Sequence, residues 1–116
     1  MSLRVLKYLY DIAAAAALIT DFVGQADLAD YRGHPMMRSA VERQMEIIGE
    51  ALGQLSRSAP QVAQEIRGYQ RAIAFRNILI HGYADIDDEI VWDVIHSSLP
   101  LLQEDVQRLQ RELTAG

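Results

Sequence analysis

Apolar residues recur at three- and four-residue steps along almost the whole chain, and no alternating apolar–polar run persists. The pattern predicts helices and no sheet. Ser2 is placed to cap a first helix running to about Val23, with Leu3, Leu6, Leu9, Tyr10 and Ala13 on one face and Gly24 at its end. Ala26 to Tyr31 reads as a short helical turn before Gly33. His34-Pro35 opens a second long helix, whose stripe is Met37, Val41, Met45, Ile48, Leu52 and Leu55. The methionines in that stripe read as core packing. Ser56 to Pro60 reads as a break, and Pro60 starts a short helix that pauses near Gly68. A third helix spans Tyr69 to His81 and stops at Gly82, a residue suited to the left-handed position after a helix. Asp85 to Asp88 then supply a loop and an acidic N-cap. The last helix runs from Asp87 or Asp88 to about Leu113. Pro100 inside it predicts a kink, because proline has no N–H and crowds the preceding turn. Ser97 and Ser98 stand ready to absorb the bend. The expected fold is all-α, a bundle of four principal helices with short helical segments, in one domain over residues 1–116.

Composition narrows this picture. A chain of 116 residues buries a real but small core, and pairing with a second copy would help it. There is no cysteine, hence no disulfide framework and no thiolate nucleophile. His34, His81 and His96 lie too far apart for metal-ligand spacing, and Asp85, Asp87 and Asp88 read as loop and cap chemistry, so no metal or other cofactor is expected. Arg4 and Lys7 precede the alanine run 13–17, but Asp11 interrupts the apolar stretch and Asp21 closes it. That reads as an ordinary helix of a cytoplasmic protein, with no membrane-spanning segment.

The net charge is −5, which argues against a general nucleic-acid binder. Its distribution is uneven. Residues 1–55 hold five basic against seven acidic side chains. Residues 56–81 hold Arg57, Arg67, Arg71 and Arg76 against Glu65, while residues 82–116 hold two basic against eight acidic side chains. The basic island runs straight into the segment Arg76-Asn77-Ile78-Leu79-Ile80-His81-Gly82-Tyr83, where the chain concentrates its chemistry. From charge alone, solvated helix arginines are the better explanation of the island.

Arginine offers a planar fork of donors that matches a phosphate and keeps its charge. Histidine can take a proton from a ribose 2′-hydroxyl or give one to a leaving 5′-oxygen. Together they suit metal-independent RNA cleavage through a 2′,3′-cyclic phosphate. On a straight helix, however, residues five apart point about 140° from each other. Arg76 and His81 meet only if the chain swings away before Gly82 or a second subunit completes the cleft. Tyr83, seven residues after Arg76, could reach the same pocket. Asn77 is placed to orient His81 or to contact RNA, and Arg71 to extend the phosphate-binding surface. Spacing alone also fits a helix-end histidine that merely answers the helix dipole.

The segment Phe75–Tyr83, with Asp87, Ile90-Val91-Trp92-Asp93 and Leu99-Pro100 downstream and Ala40–Ala51 upstream, resembles the HepT-like branch of the HEPN superfamily. The likeness covers about residues 35 to 102. It implies an all-helical homodimer with its cleft at the subunit interface, and an Arg-x4-His motif that falls on Arg76 and His81. It further implies the toxin of a type VII (HEPN/MNT) toxin–antitoxin pair, an endoribonuclease acting on mRNA or tRNA. The implied antitoxin is an MNT-type nucleotidyltransferase that attaches AMP to the tyrosine two residues after the motif histidine, here Tyr83. Such a modification adds bulk and negative charge where RNA phosphates must bind. The chain departs from the pattern at Gln70–Ala74, where a shorter, glycine-containing approach to the arginine is expected. A non-catalytic nucleotide- or substrate-binding subunit of a minimal nucleotidyltransferase is the alternative.

Overall fold

The computed structural model describes residues 2–82 and 86–115. Its helices are α1 (Leu3–Val23), α2 (Leu28–Arg32), α3 (Pro35–Ser58), α4 (Pro60–Ala63), α5 (Tyr69–Ile80), α6 (Asp88–Asp93) and α7 (Leu99–Ala115). A π-helical turn, Val94–Ser98, joins α6 to α7. The described residues contain no strand, and the fold is the expected all-α bundle. Its four principal rods are α1, α3, α5 and the continuous α6–α7 unit. Helix α3 is central, packing against both α1 and α5, while α7 closes the bundle against α1.

The α3 stripe behaves as its spacing predicts. Val41, Met45, Ile48, Leu52 and Leu55 are buried, and Met37 is half-buried at the end of the row. His34 is itself the N-cap of α3, its Nδ1 accepting from the Met37 N–H at 3.0 Å. Asp27 and Asp30 make a reciprocal capping box on α2.

Two expectations need correction, and a third takes a specific form. The buried face of α1 is Val5, Leu9, Ile12, Ala16, Ile19 and Val23, whereas Leu3 and Tyr10 are exposed. Both stripes have helical spacing, and the position of α3 and α7 selects between them. The break at Ser56–Pro60 shrinks to Ala59, because α3 runs on through Ser58. The two serines stay helical by donating to carbonyls within their own helix, Ser56 to Gly53 and Ser58 to Gln54. Pro100 produces a widened turn just before it, where the Leu99 N–H reaches back to the Val94 carbonyl. A wide turn admits proline by relieving the crowding that an α-turn would impose. Ser97 and Ser98 lie in that turn, as their place before the proline suggests.

Two polar features tie the rods together. Asp105, buried on α7, accepts from the Arg67 backbone N–H at 2.8 Å and from its side-chain Nε and Nη2, each at 3.0 Å. The Arg67 hydrogen bonds hold the Asp105 carboxyl below the ordinary carboxylate range despite its burial. On the far side Tyr31 is fully buried against Trp92, with ring centroids 5.4 Å apart. Burial, aided by the charges of Glu42 and Asp88, pushes the Tyr31 phenol well above its usual range. Trp92 also meets His96 at 4.4 Å, so it packs as an aromatic strut of the bundle rather than standing free.

Candidate active site

Helix α5 carries the Arg76–His81 segment and rests on α3 along a narrow line. Leu79 is its one buried residue, Ala72, Ile73, Phe75 and Arg76 are half-buried, and Ile78 and Ile80 are exposed. The line is narrow because α3 presents Gly49 to it. A Cβ at position 49 would overlap the Cβ of Arg76, lie 2.8 Å from its Cγ and 3.0 Å from the Ala72 carbonyl oxygen. The missing side chain therefore lets the stem of Arg76 lie directly across the α3 backbone.

That route delivers the guanidinium to fixed partners. Arg76 Nη2 lies 2.7 Å from Glu50 Oε2, and Nη1 donates to Asn77 Oδ1 at 3.2 Å. Nε is buried and has no partner among the described residues. A second hydrogen on each terminal nitrogen thus stays available to an anion, while the buried Nε does not face the solvent. Arg76 lines a cavity of about 340 Å³ between α1, α3 and α5, together with Lys7, Tyr8, Arg43, Glu46 and Glu50. The charges in that groove are internally matched. Lys7 pairs with Asp11 at 2.7 Å, and Arg43 lies 3.9 Å from Glu46.

His81 stands elsewhere. It is the C-cap of α5, exposed, with its backbone N–H on the Asn77 carbonyl at 3.1 Å. Gly82 follows at φ +64°, a conformation that favours glycine and turns the chain off the helix path. Within the chain the structure therefore brings Arg76 to Asn77 and Glu50, and leaves His81 on the outer end of the same helix. Arg71 is exposed, has no ion pair among the described residues, and lines a second cavity of about 160 Å³ with Arg67, Met45, Phe75 and Leu102. Arg67 is committed to Asp105 and Glu104. Tyr83 and Asp85 lie outside the described residues. Among the described residues no cluster of His, Asp and Glu side chains could hold a metal ion, and no helix is long and apolar enough to cross a membrane.

Sequence reasoning missed Gly49 and Glu50. The available signal was a glycine inside a strongly periodic helix, which weakens the helix unless packing needs it. The pairing with Arg76, 26 positions later, has no local signature.

No solved structure matches the chain significantly. A Methanocaldococcus jannaschii protein named as an RNase is 32% identical over 108 residues, 92% of this chain and 98% of the relative. A Thermococcus cleftensis protein named as a ribonuclease HepT is 31% identical over 104 residues, covering 90% of this chain and 94% of the relative. The family model described as ribonuclease HepT-like matches residues 12–109, which takes in Gly49, Glu50, Arg76 and His81, and the chain belongs to that family.

Proposed function

We propose that this chain is a metal-independent endoribonuclease working as a homodimer, the toxin of a type VII pair. The observation that carries the reading is the end of α5: a guanidinium oriented by Asn77 and Glu50 with donors to spare, and an exposed histidine one turn on. The relatives named as RNases add to it.

In the proposed reaction His81 of one subunit takes the proton of the 2′-hydroxyl. The 2′-oxygen attacks the adjacent phosphorus, and the bond to the 5′-oxygen breaks. The protonated His81 of the partner subunit gives its proton to that oxygen, leaving a 2′,3′-cyclic phosphate and a 5′-hydroxyl. Arg76 stabilises the charge that develops on the non-bridging oxygens. Arg71 binds a neighbouring phosphate. A dimer supplies what one subunit lacks, since Arg76 and His81 leave α5 in different directions. The exposed Ile78 and Ile80 on the same helix are apolar surface for a second copy to cover.

Regulation is proposed from the family likeness and from the position of Tyr83, two residues after His81. An MNT-type nucleotidyltransferase would transfer AMP to its phenol, and the added phosphate would repel RNA. The test is incubation of metal-stripped protein with total RNA beside His81→Ala, together with co-expression with a cognate nucleotidyltransferase and intact-mass measurement. The reading expects cleavage by the wild type alone and an AMP adduct that disappears in Tyr83→Phe. Equal cleavage by both proteins would refute the role of His81.

A further inference from the structure

We propose that Glu50 is a positioning residue for Arg76, one that sets the angle at which the guanidinium meets the scissile phosphate. The inference rests on the reading of Arg76 as the phosphate-binding group. Three observations carry it. Glu50 Oε2 sits 2.7 Å from Arg76 Nη2, the shortest of this arginine's contacts, while Asn77 takes Nη1 at 3.2 Å. The two acceptors thus hold both terminal nitrogens of a planar group and fix its plane. The neighbouring Gly49 clears the path, because a Cβ there would collide with the Arg76 stem and with the Ala72 carbonyl. Consecutive residues of α3 therefore seat one side chain, the first by its absence of bulk and the second by its charge.

The third observation is exposure. The Glu50 side chain is 50% exposed and that of Arg76 30%. Pairs as open as this contribute little to folding. Glu50 lines the same cavity as Arg76, where a carboxylate repels an incoming phosphate. A group that adds little stability and opposes binding is explained by geometry. A free arginine samples many rotamers, and one held at both terminal nitrogens is preorganised for a transition state whose charge it must meet at the right angle.

This role predicts a split between binding and chemistry. Glu50→Ala, Glu50→Gln, His81→Ala and wild type are compared on one RNA oligonucleotide, with kcat and KM measured separately and thermal melting recorded. Glu50→Ala is expected to lose kcat by on the order of 10- to 100-fold, with KM unchanged or lower and its melting curve close to wild type. Glu50→Gln keeps an acceptor at the same reach and recovers most of the kcat. An unchanged kcat in Glu50→Ala overturns the proposal, and so does a loss that Glu50→Gln does not recover. If wild type fails to cleave, or His81→Ala cleaves as well as wild type, the ribonuclease mechanism is at fault, and the arginine side-chain NMR spectrum decides the Glu50 question alone. Hindered rotation of the Arg76 guanidinium that becomes free in Glu50→Ala supports the role. Identical spectra overturn it.

Discussion

Replacing Gly49 by alanine probes the α3–α5 contact at its tightest point. The new Cβ would lie 2.8 Å from Arg76 Cγ and 3.0 Å from the Ala72 carbonyl oxygen, besides overlapping the Arg76 Cβ. Carbon atoms pack best at about 3.5–4.0 Å, so α5 must retreat by at least roughly 1 Å. The obstructing atoms are backbone and the root of a side chain, which cannot swing aside. Overpacking of this kind costs about 1–3 kcal/mol, and the upper end applies where the backbone must move. Alanine gives back about 1 kcal/mol in helix propensity. A net loss of about 2 kcal/mol remains, which lowers Tm by roughly 8 °C for a domain of this size. With Arg76 in its proposed role at the transition state, activity should suffer more than stability, because a shift of about 1 Å there costs on the order of 100-fold in rate. Thermal melting and RNA cleavage on the same preparation check both figures. A Tm equal to or above wild type, with full activity, would show that propensity outweighs packing and that the helices do not touch as described.

Two further substitutions test the polar ties. Asp105→Ala strips the Arg67 backbone N–H and guanidinium of their buried acceptor and should cost about 1–3 kcal/mol in chemical denaturation. The folded carboxyl titrates below its unfolded value, so its contribution is present above the unfolded pKa and is lost as pH falls through the lower folded value. The gap between wild type and Asp105→Ala should therefore begin to close as pH falls below about 4 and go on closing through the lower folded value, and a gap that does not narrow on acidification would contradict the assignment. Tyr31→Phe removes a buried hydroxyl that has no hydrogen-bond partner among the described residues. It should leave stability unchanged or raise it by about 1 kcal/mol, and a loss above about 1 kcal/mol would mean that the hydroxyl is satisfied.

The fold was legible wherever the sequence carried a local cause. The α3 stripe, Pro60 and Gly82 each act through their own turn of backbone, and each stands where its chemistry predicts. The inward face of α1 was not legible, because Leu3 and Val5 begin equally good apolar rows and only the packed neighbours decide between them. The proline at position 100 announced a distortion but not its form, since bend and wide turn relieve the same clash. For the candidate site, the residue types around Arg76 spoke for phosphate chemistry, and the angular argument that Arg76 and His81 diverge agrees with their separate surroundings. The seat of Arg76 on Gly49 and Glu50 was hidden, because it joins residues of different helices and leaves no periodic trace in either.

Cleavage is proposed to run through the 2′-hydroxyl. Its most direct test is one oligonucleotide prepared as all-RNA and with a single 2′-deoxy substitution at the cut site, each incubated with the protein in excess chelator and the products weighed by mass spectrometry. Cleavage of the RNA to a 2′,3′-cyclic phosphate and a 5′-hydroxyl is expected, with the deoxy substitution blocking the cut. Cleavage of both strands at that position, or products ending in a 5′-phosphate, would contradict it.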